Sequence, residues 1–96
     1  MNEKLEITRF RIVYRGHVQG VGFRWQVKNV SKSFGVTGFV RNLSDGTVEL
    51  WVEGEKAEAR EMIDAVELKL RDYWHSKVVD EREGEPHYED FSIDFI

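Results

Sequence analysis

The sequence predicts an α+β fold of the two-layer sandwich type, in which two helices cover one face of a mostly antiparallel sheet. Segments with apolar residues at every second position alternate with segments in which they recur every three or four residues, giving the order βαββαβ. A Ser-Asp-Gly turn also joins two neighbouring β-rich segments, which is typical of an antiparallel hairpin. The 96 residues suit one domain, expected to span residues 1–96.

The first strand and the first helix are expected on either side of a glycine-rich loop. Residues 9–15, RFRIVYR, alternate basic and apolar side chains, which predicts a half-buried strand. Apolar residues then recur at spacings of four, three and four from Phe23 to Phe34, which predicts a helix. Gly35 stands where a left-handed glycine would end that helix.

Two strands of a hairpin are expected next. Residues 36–43, VTGFVRNL, and residues 47–54, TVELWVEG, are rich in β-forming side chains. They flank Asp45 and Gly46, a pair that strongly favours a tight hairpin turn.

A second, amphipathic helix and the last strands complete the predicted order. Its apolar stripe comprises Ala59, Met62, Ile63, Val66, Leu70 and Tyr73. Residues 77–81 are expected to form a short strand, and residues 81–90, which include the only proline, a loop. Residues 91–96, FSIDFI, alternate and predict a final strand, so the order allows one extra terminal strand.

The composition and charge of the chain exclude some kinds of protein function and favour others. The chain has no cysteine, which excludes disulfides and a thiol nucleophile. Net charge is +6 over residues 1–43 and −10 over residues 44–96. This asymmetry favours either an anion-binding face or two halves that neutralise each other in one fold. No signal peptide or membrane-spanning run is evident, so we expect a cytoplasmic monomer without a membrane partner.

The loop and its flanks, GHVQGVGFR at residues 16–24, are consistent with a phosphate-binding site. Glycines permit positive φ, so successive N–H groups can converge on an anion near the positive end of the next helix. Arg24, in the first helical turn, can grip two phosphate oxygens. The pattern is neither a P-loop nor a dinucleotide fingerprint. Spacing alone leaves a second interpretation open, a tight turn beside an exposed arginine.

Two longer motifs add a family resemblance. GHVQGVGFRW and GVTGFVRNLSDGTVE closely resemble the acylphosphatase family over residues 11–54, with weaker similarity through the C-terminal FSIDFI. The resemblance implies a ferredoxin-like α/β sandwich and a hydrolase that cleaves the carboxyl–phosphate bond of a small acyl phosphate. Inorganic phosphate would be both product and inhibitor, and no cofactor is implied.

The resemblance also implies roles for particular residues. Arg24 would bind the phosphate and Asn42 would position the attacking water. The phosphate cradle would be built from the backbone N–H groups of Gly16, Val18, Gln19, Gly20 and Val21. The chain departs from the family where Gly-Pro usually follows the second helix; RDYWHSKVV stands there, which leaves the helix end and the next strand's register open.

The chemistry is consistent with these residues. An acyl phosphate leaves as a carboxylate whose conjugate acid has a pKa of roughly 4, so no general acid is needed. An asparagine can orient water through its amide but is no strong base. His17, His75 and His87 show no metal-ligand spacing, and we expect a metal-independent reaction. His17 lies in the loop itself, where we interpret it as an exposed residue.

Two further interpretations stay open. RNA-binding domains share the βαββαβ order, but their aromatic strand motif is absent here and the net charge of −4 disfavours nucleic acid. An acylphosphatase-like domain without catalytic activity would serve as a regulator, although the presence of both Arg24 and Asn42 argues against it.

Overall fold

The computed structural model describes residues 7–95 and contains seven regular elements. They are β1 (Ile7–Gly16), α1 (Phe23–Ser31), β2 (Thr37–Asn42), β3 (Val48–Gly54), α2 (Lys56–Lys69), β4 (Trp74–Gly84) and β5 (Phe91–Asp94). The strands form one sheet in the order β4-β1-β3-β2-β5. All neighbours are antiparallel except β2 and β5, which run parallel. The predicted βαββαβ order with an extra terminal strand is therefore confirmed, and Ile96 lies outside the described residues.

A single core fills the space between the sheet and the two helices. The alternation in β1 predicts its inward face correctly, because Phe10, Ile12 and Tyr14 are all buried. Helix α1 contributes Phe23 and Val27 to the same cluster. The apolar stripe of α2 joins it as well through Ala59, Met62, Ile63 and Val66.

The predicted stripe of the second helix was wrong at its last residue. Helix α2 ends at Lys69, and the N–H of the capping Leu70 still donates to the carbonyl of Val66. The chain then turns toward β4, leaving Tyr73 outside the helix and 38% exposed. Tyr73 therefore belongs to the connection, because the turn carries it off the helical stripe.

The first helix is also shorter than its apolar spacing predicts. It ends at Ser31, and the N–H groups of Ser33 and Phe34 donate to carbonyls three residues back, which is turn geometry. Gly35 is not left-handed; its N–H donates instead to the Glu58 carboxylate, 2.7 Å away. The periodicity continued past the helix because Phe34 still packs against the core from the turn.

Strand β4 is longer than predicted and absorbs part of the expected loop. It pairs with the whole of β1, from Ile7 opposite Gly84 to Gly16 opposite Trp74, with one irregularity at Gly16. The sequence did not predict the full strand because its residues are mostly polar or charged. An edge strand exposed on both faces needs no alternation of apolar and polar residues. The missing Gly-Pro left open the end of the second helix and the register of the next strand. In the structure a short turn after α2 leads directly into the edge strand, whose register with β1 is given above.

The face of the sheet opposite the helices carries ion pairs between buried glutamates and arginines of neighbouring strands. Glu49 is buried and accepts hydrogen bonds from Arg41 at 2.6 Å and Arg11 at 2.5 Å. Burial raises the pKa of the Glu49 carboxyl, but the bonds from the two guanidinium groups outweigh it, so this pKa lies below its ordinary value. Glu53 is similarly buried and pairs with Arg9 at 3.1 Å.

Neither helix among residues 7–95 is both long enough and apolar enough to cross a membrane.

Candidate active site

Four parts of the chain meet at one end of the sheet: the loop of residues 17–22, the start of α1, the end of β2 and the end of β5. They enclose an open pocket of about 150 Å³. Its lining consists of Val18, Gly20, Gly22, Phe23, Arg24, Trp25, Asn42, Ile93 and Phe95. The pocket thus contains both side chains to which sequence analysis assigned a chemical role, Arg24 and Asn42.

The glycines of the loop serve two different purposes. Gly20 and Gly22 have φ of 78° and 79°, and a Cβ at either position would meet no atom within 4 Å. Glycine is needed there for the left-handed backbone, not for space. Gly16 also has a positive φ, of 139°, but there an added Cβ would in addition lie 2.4 Å from the carbonyl oxygen of Tyr73. Gly16 is outside the pocket lining, and its glycine allows close approach to the start of β4.

Most backbone N–H groups of the loop have no acceptor in the part of the chain that the structure describes. Within residues 17–22, His17 donates its N–H to the Tyr73 carbonyl at 2.8 Å, and no other loop N–H has a protein acceptor among residues 7–95. Helix α1 begins directly afterwards, capped by left-handed Gly22 and without an acidic residue in its first turn. Free donors and an uncompensated positive helix end together favour an anion.

Arg24 adds a permanent cation to this donor-rich end. It lies in the first turn of α1, as predicted, and lines the pocket. Its guanidinium carbon is 4.8 Å from the centre of the Phe95 ring. Stacking on a ring face leaves the guanidinium edges, which carry the N–H donors, available to a planar pair of oxygens.

Asn42 carries an unsatisfied acceptor into the pocket. It is the last residue of β2 and shares strand parity with buried Val40, so its side chain lies on the helix side of the sheet. Its Oδ1 is buried and accepts no hydrogen bond from any residue between 7 and 95. A buried acceptor without a partner is costly, and such an atom at a pocket wall suits a ligand or substrate water that donates to it.

Comparisons with known proteins identify the family of this chain. A family model described as Acylphosphatase matches residues 10–93. The chain belongs to the acylphosphatase family. An acylphosphatase of Lactiplantibacillus plantarum is 44% identical over 79 residues, covering 81% of this chain and 88% of that protein. An acylphosphatase of Bacillus pumilus is 40% identical over 91 residues, covering 91% and 98%.

A solved structure supports the fold of this family member. The crystal structure of acylphosphatase from Bacillus subtilis matches with a TM-score of 0.81 and 29% identity, over 91% of this chain and 98% of that one. The expected ferredoxin-like α+β sandwich and the expected family of enzymes are both confirmed.

The predicted site residues of this acylphosphatase family member are partly gathered in the pocket. Val18 and Gly20 line it together with Arg24 and Asn42, whereas Gly16, Gln19 and Val21 lie outside its lining. The side chain of Gln19 instead donates to the carbonyls of Leu43 and Thr47, both at 2.8 Å. These bonds fasten the loop to the hairpin that follows Asn42.

Five residues of the pocket lining were not predicted as site residues: Gly22, Phe23, Trp25, Ile93 and Phe95. Trp25 directly follows Arg24 and is 65% exposed, but it was not among the predicted site residues. Ile93 and Phe95 reach the site because β5 pairs parallel with β2, a pairing that the FSIDFI alternation does not reveal. Gly22 could have been predicted as a site residue, since it belongs to the loop motif GHVQGVGFR.

Arg24 is the one titratable residue of the pocket lining among residues 7–95. Within residues 7–95, no group of three or more His, Asp or Glu side chains is placed to hold a metal ion. Asp45 belongs to the hairpin turn: its carboxylate accepts from the hydroxyl of Thr47 at 2.6 Å and from its N–H at 3.0 Å. These bonds lower the pKa of Asp45 and support the turn as predicted.

Proposed function

We propose that this protein hydrolyses the carboxyl–phosphate bond of acyl phosphates to a carboxylate and inorganic phosphate. The proposal rests on the pocket lined by the glycine loop, the Arg24 cation and Asn42. Among residues 7–95, the N–H groups of residues 18–22 and the Asn42 Oδ1 have no hydrogen-bond partner. The family membership and the relatives named acylphosphatase support it.

In this mechanism the phosphoryl group is held by charge and dipoles. Arg24 takes phosphate oxygens at its guanidinium edge, while the N–H groups of Val18, Gln19, Gly20 and Val21 form the cradle. The role predicted for Gly16 in that cradle stays a prediction. Phosphoryl transfer is governed mainly by positioning and charge stabilisation, so this arrangement supplies what the reaction requires. Removing one preorganised donor typically costs about 2.7–4 kcal/mol of transition-state stabilisation.

Asn42 supplies the position of the nucleophile. Its Oδ1 accepts a hydrogen bond from a water, whose oxygen attacks phosphorus in line with the acyl oxygen. The new P–O bond forms as the bond to the acyl oxygen breaks, and the electron pair leaves with the carboxylate. The proton of the attacking water passes to the phosphate product or to solvent. Because the carboxylate leaves without a proton, no acid–base pair is needed at the site.

The reaction needs no metal in this scheme. Its product, inorganic phosphate, resembles the phosphoryl group that the cradle binds. We therefore expect hydrolysis of acetyl phosphate to continue at the same rate in excess EDTA, and inorganic phosphate to inhibit competitively. The measurement is the initial rate with and without chelator and over a phosphate series. Loss of activity in EDTA with recovery on adding a divalent cation contradicts the metal-free mechanism, and no hydrolysis at all contradicts the function.

The proposal also includes the expected location, oligomeric state and partners of the protein. A cytoplasmic monomer acting on a small molecule, without nucleic acid or a membrane, stays the prediction from the sequence.

A further inference from the structure

Two aromatic side chains are exposed at the same place. Within residues 7–95, Trp25 and Phe95 are the most exposed large aromatics, at 65% and 73%. Both line the pocket that contains Arg24 and Asn42. A single exposed apolar side chain needs no explanation, but two that line one pocket beside Arg24 and Asn42 are typical of a ligand-binding surface.

These two residues come from distant parts of the chain and have no evident role in the core. Trp25 follows Arg24 in the first turn of α1, and Phe95 follows the last residue of β5. The core cluster includes Phe23 at 2% exposure and packs Ile93 against its edge, but includes neither of the two. Burial of apolar surface in the fold therefore does not account for Trp25 and Phe95.

The pocket consequently has a polar part and an apolar part. Loop N–H donors, Arg24 and Asn42 form the polar part, whereas Trp25 and Phe95 form an apolar rim. In an in-line displacement the acyl oxygen leaves on the side of phosphorus opposite the attacking water. With the water at Asn42, the acyl group points away from Asn42 and has to meet some other part of the pocket wall.

We propose that Trp25 and Phe95 bind the acyl half of the substrate, and that the preferred substrates are acyl phosphates with flat, apolar acyl groups. This inference rests on the proposed function and extends it to the substrate class. Aromatic rings bury large apolar area and stack on other rings, each such pair being worth about 0.5–1.5 kcal/mol beyond area burial. A small or charged acyl group gains little from this rim.

The ring of Phe95 also contacts Arg24, so its removal can act in a second way. A shift of the guanidinium would slow hydrolysis of every acyl phosphate alike, whereas loss of an acyl-binding surface slows only the apolar ones. The ratio of two substrates separates these effects, because a contribution common to both cancels. The intrinsic difference in leaving-group reactivity cancels in the same way when variants are compared with wild type.

The first experiment measures kcat/KM for benzoyl phosphate and acetyl phosphate in wild type, Trp25→Ala and Phe95→Ala. We expect the benzoyl-to-acetyl ratio to fall about 3- to 10-fold in each variant. Trp25→Phe should keep most of the ratio, since an aromatic face remains. Leu68→Ala is the matched control, because Leu68 is 66% exposed on α2 and lies outside the pocket. An unchanged ratio in both alanine variants overturns the inference.

The second experiment tests binding without turnover. Phenylphosphonate and methylphosphonate carry a P–C bond that the enzyme cannot hydrolyse, and their dissociation constants are measured by calorimetry. We expect wild type to bind the phenyl compound about 3- to 10-fold more tightly and Trp25→Ala to bind both equally. Equal binding of the two compounds by wild type overturns the inference even where hydrolysis proceeds.

Arg24→Ala separates this inference from the proposed function. If both hold, Arg24→Ala loses hydrolysis of both substrates and binding of both phosphonates. If Arg24→Ala hydrolyses acetyl phosphate normally, the proposed function fails, whatever the ratio in Trp25→Ala. If Arg24→Ala is inactive while the ratios and phosphonate affinities of the rim variants match wild type, only the acyl-binding surface fails.

Discussion

The side-chain amide of Gln19 donates a 2.8 Å hydrogen bond to the carbonyl of Leu43, the residue directly after Asn42. A second bond of 2.8 Å reaches the carbonyl of Thr47 across the hairpin turn. The loop with the free N–H donors is thereby fastened to the strand end that carries the proposed water-positioning residue. The two hydrogen bonds of Gln19 thus connect the proposed phosphate cradle to the strand end that carries Asn42.

Gln19→Ala should therefore weaken catalysis more than stability. Losing the two bonds is expected to lower the free energy of unfolding by about 1–3 kcal/mol. Turnover should fall about 10-fold or more, because a displaced cradle and nucleophile lose their alignment. The measurements are kcat on acetyl phosphate and urea denaturation of the same preparation. Wild-type kcat in a folded Gln19→Ala protein would show that the fastening has no catalytic consequence.

Arg24 is expected to be required for both affinity and turnover. Arg24→Ala should lower kcat/KM by about 10²-fold or more, since it removes the cation that is proposed to hold the phosphate. Arg24→Lys should restore little, because lysine keeps the charge but lacks the planar fork and its stacking on Phe95. Lys32→Ala provides a matched control, being a cation of the same helix region outside the pocket. Near-wild-type activity of Arg24→Ala would make it an ordinary surface residue.

Asn42 separates binding from chemistry. Since its Oδ1 has no partner among residues 7–95, Asn42→Ala gives up no hydrogen bond at that atom and should fold with unchanged or higher stability. Turnover should fall on the order of 10²-fold, because the nucleophile loses its position. Inhibition by inorganic phosphate should be nearly unchanged, since the cradle and Arg24 remain.

Three quantities on one preparation decide the Asn42 prediction: kcat, the inhibition constant of phosphate and the melting temperature. A folded variant with normal kcat would remove Asn42 from the site. A variant with lower stability but normal turnover per folded molecule would assign Asn42 a structural role only.

Glu49 should make stability depend on acid pH. The folded-state pKa of Glu49 is lowered relative to the unfolded chain, so its contribution is fully present above the unfolded pKa of about 4.3. That contribution is lost as pH falls through the lower folded-state pKa. Glu49→Gln should lower the free energy of unfolding at pH 7 by about 2 kcal/mol, since two charge-assisted bonds are weakened.

The pH profile checks this prediction. The stability difference between wild type and Glu49→Gln should narrow as pH falls below about 4, because protonated glutamic acid resembles glutamine. Glu81→Gln is the control: its pair with Lys56 is largely exposed, so little change is expected at any pH. A stability difference for Glu49→Gln that stays constant from pH 7 down to pH 2 would disprove the assignment.

Local patterns in the sequence determined much of this fold. The alternation in residues 9–15 identified the inward face of β1, because every second side chain of a strand lies on the same side. Asp45 and Gly46 located the hairpin, since Gly46 takes the positive φ of 90° that this turn needs. The loop motif and the position of Arg24 in the next helical turn also follow from adjacent residues. These features depend on interactions within a few residues of one another.

The tertiary structure decided what depends on partners distant in the chain. Periodicity indicates which face of an element is buried, but it does not identify the neighbouring strand, since backbone pairing is set by groups common to all residues. The parallel pairing of β5 with β2 brought Phe95 to Arg24, and the pairing of β1 with a charged edge strand extended β4 to Gly84. Only the packed fold left Asn42 Oδ1 buried beside the loop without a partner among residues 7–95, because burial depends on everything that surrounds an atom.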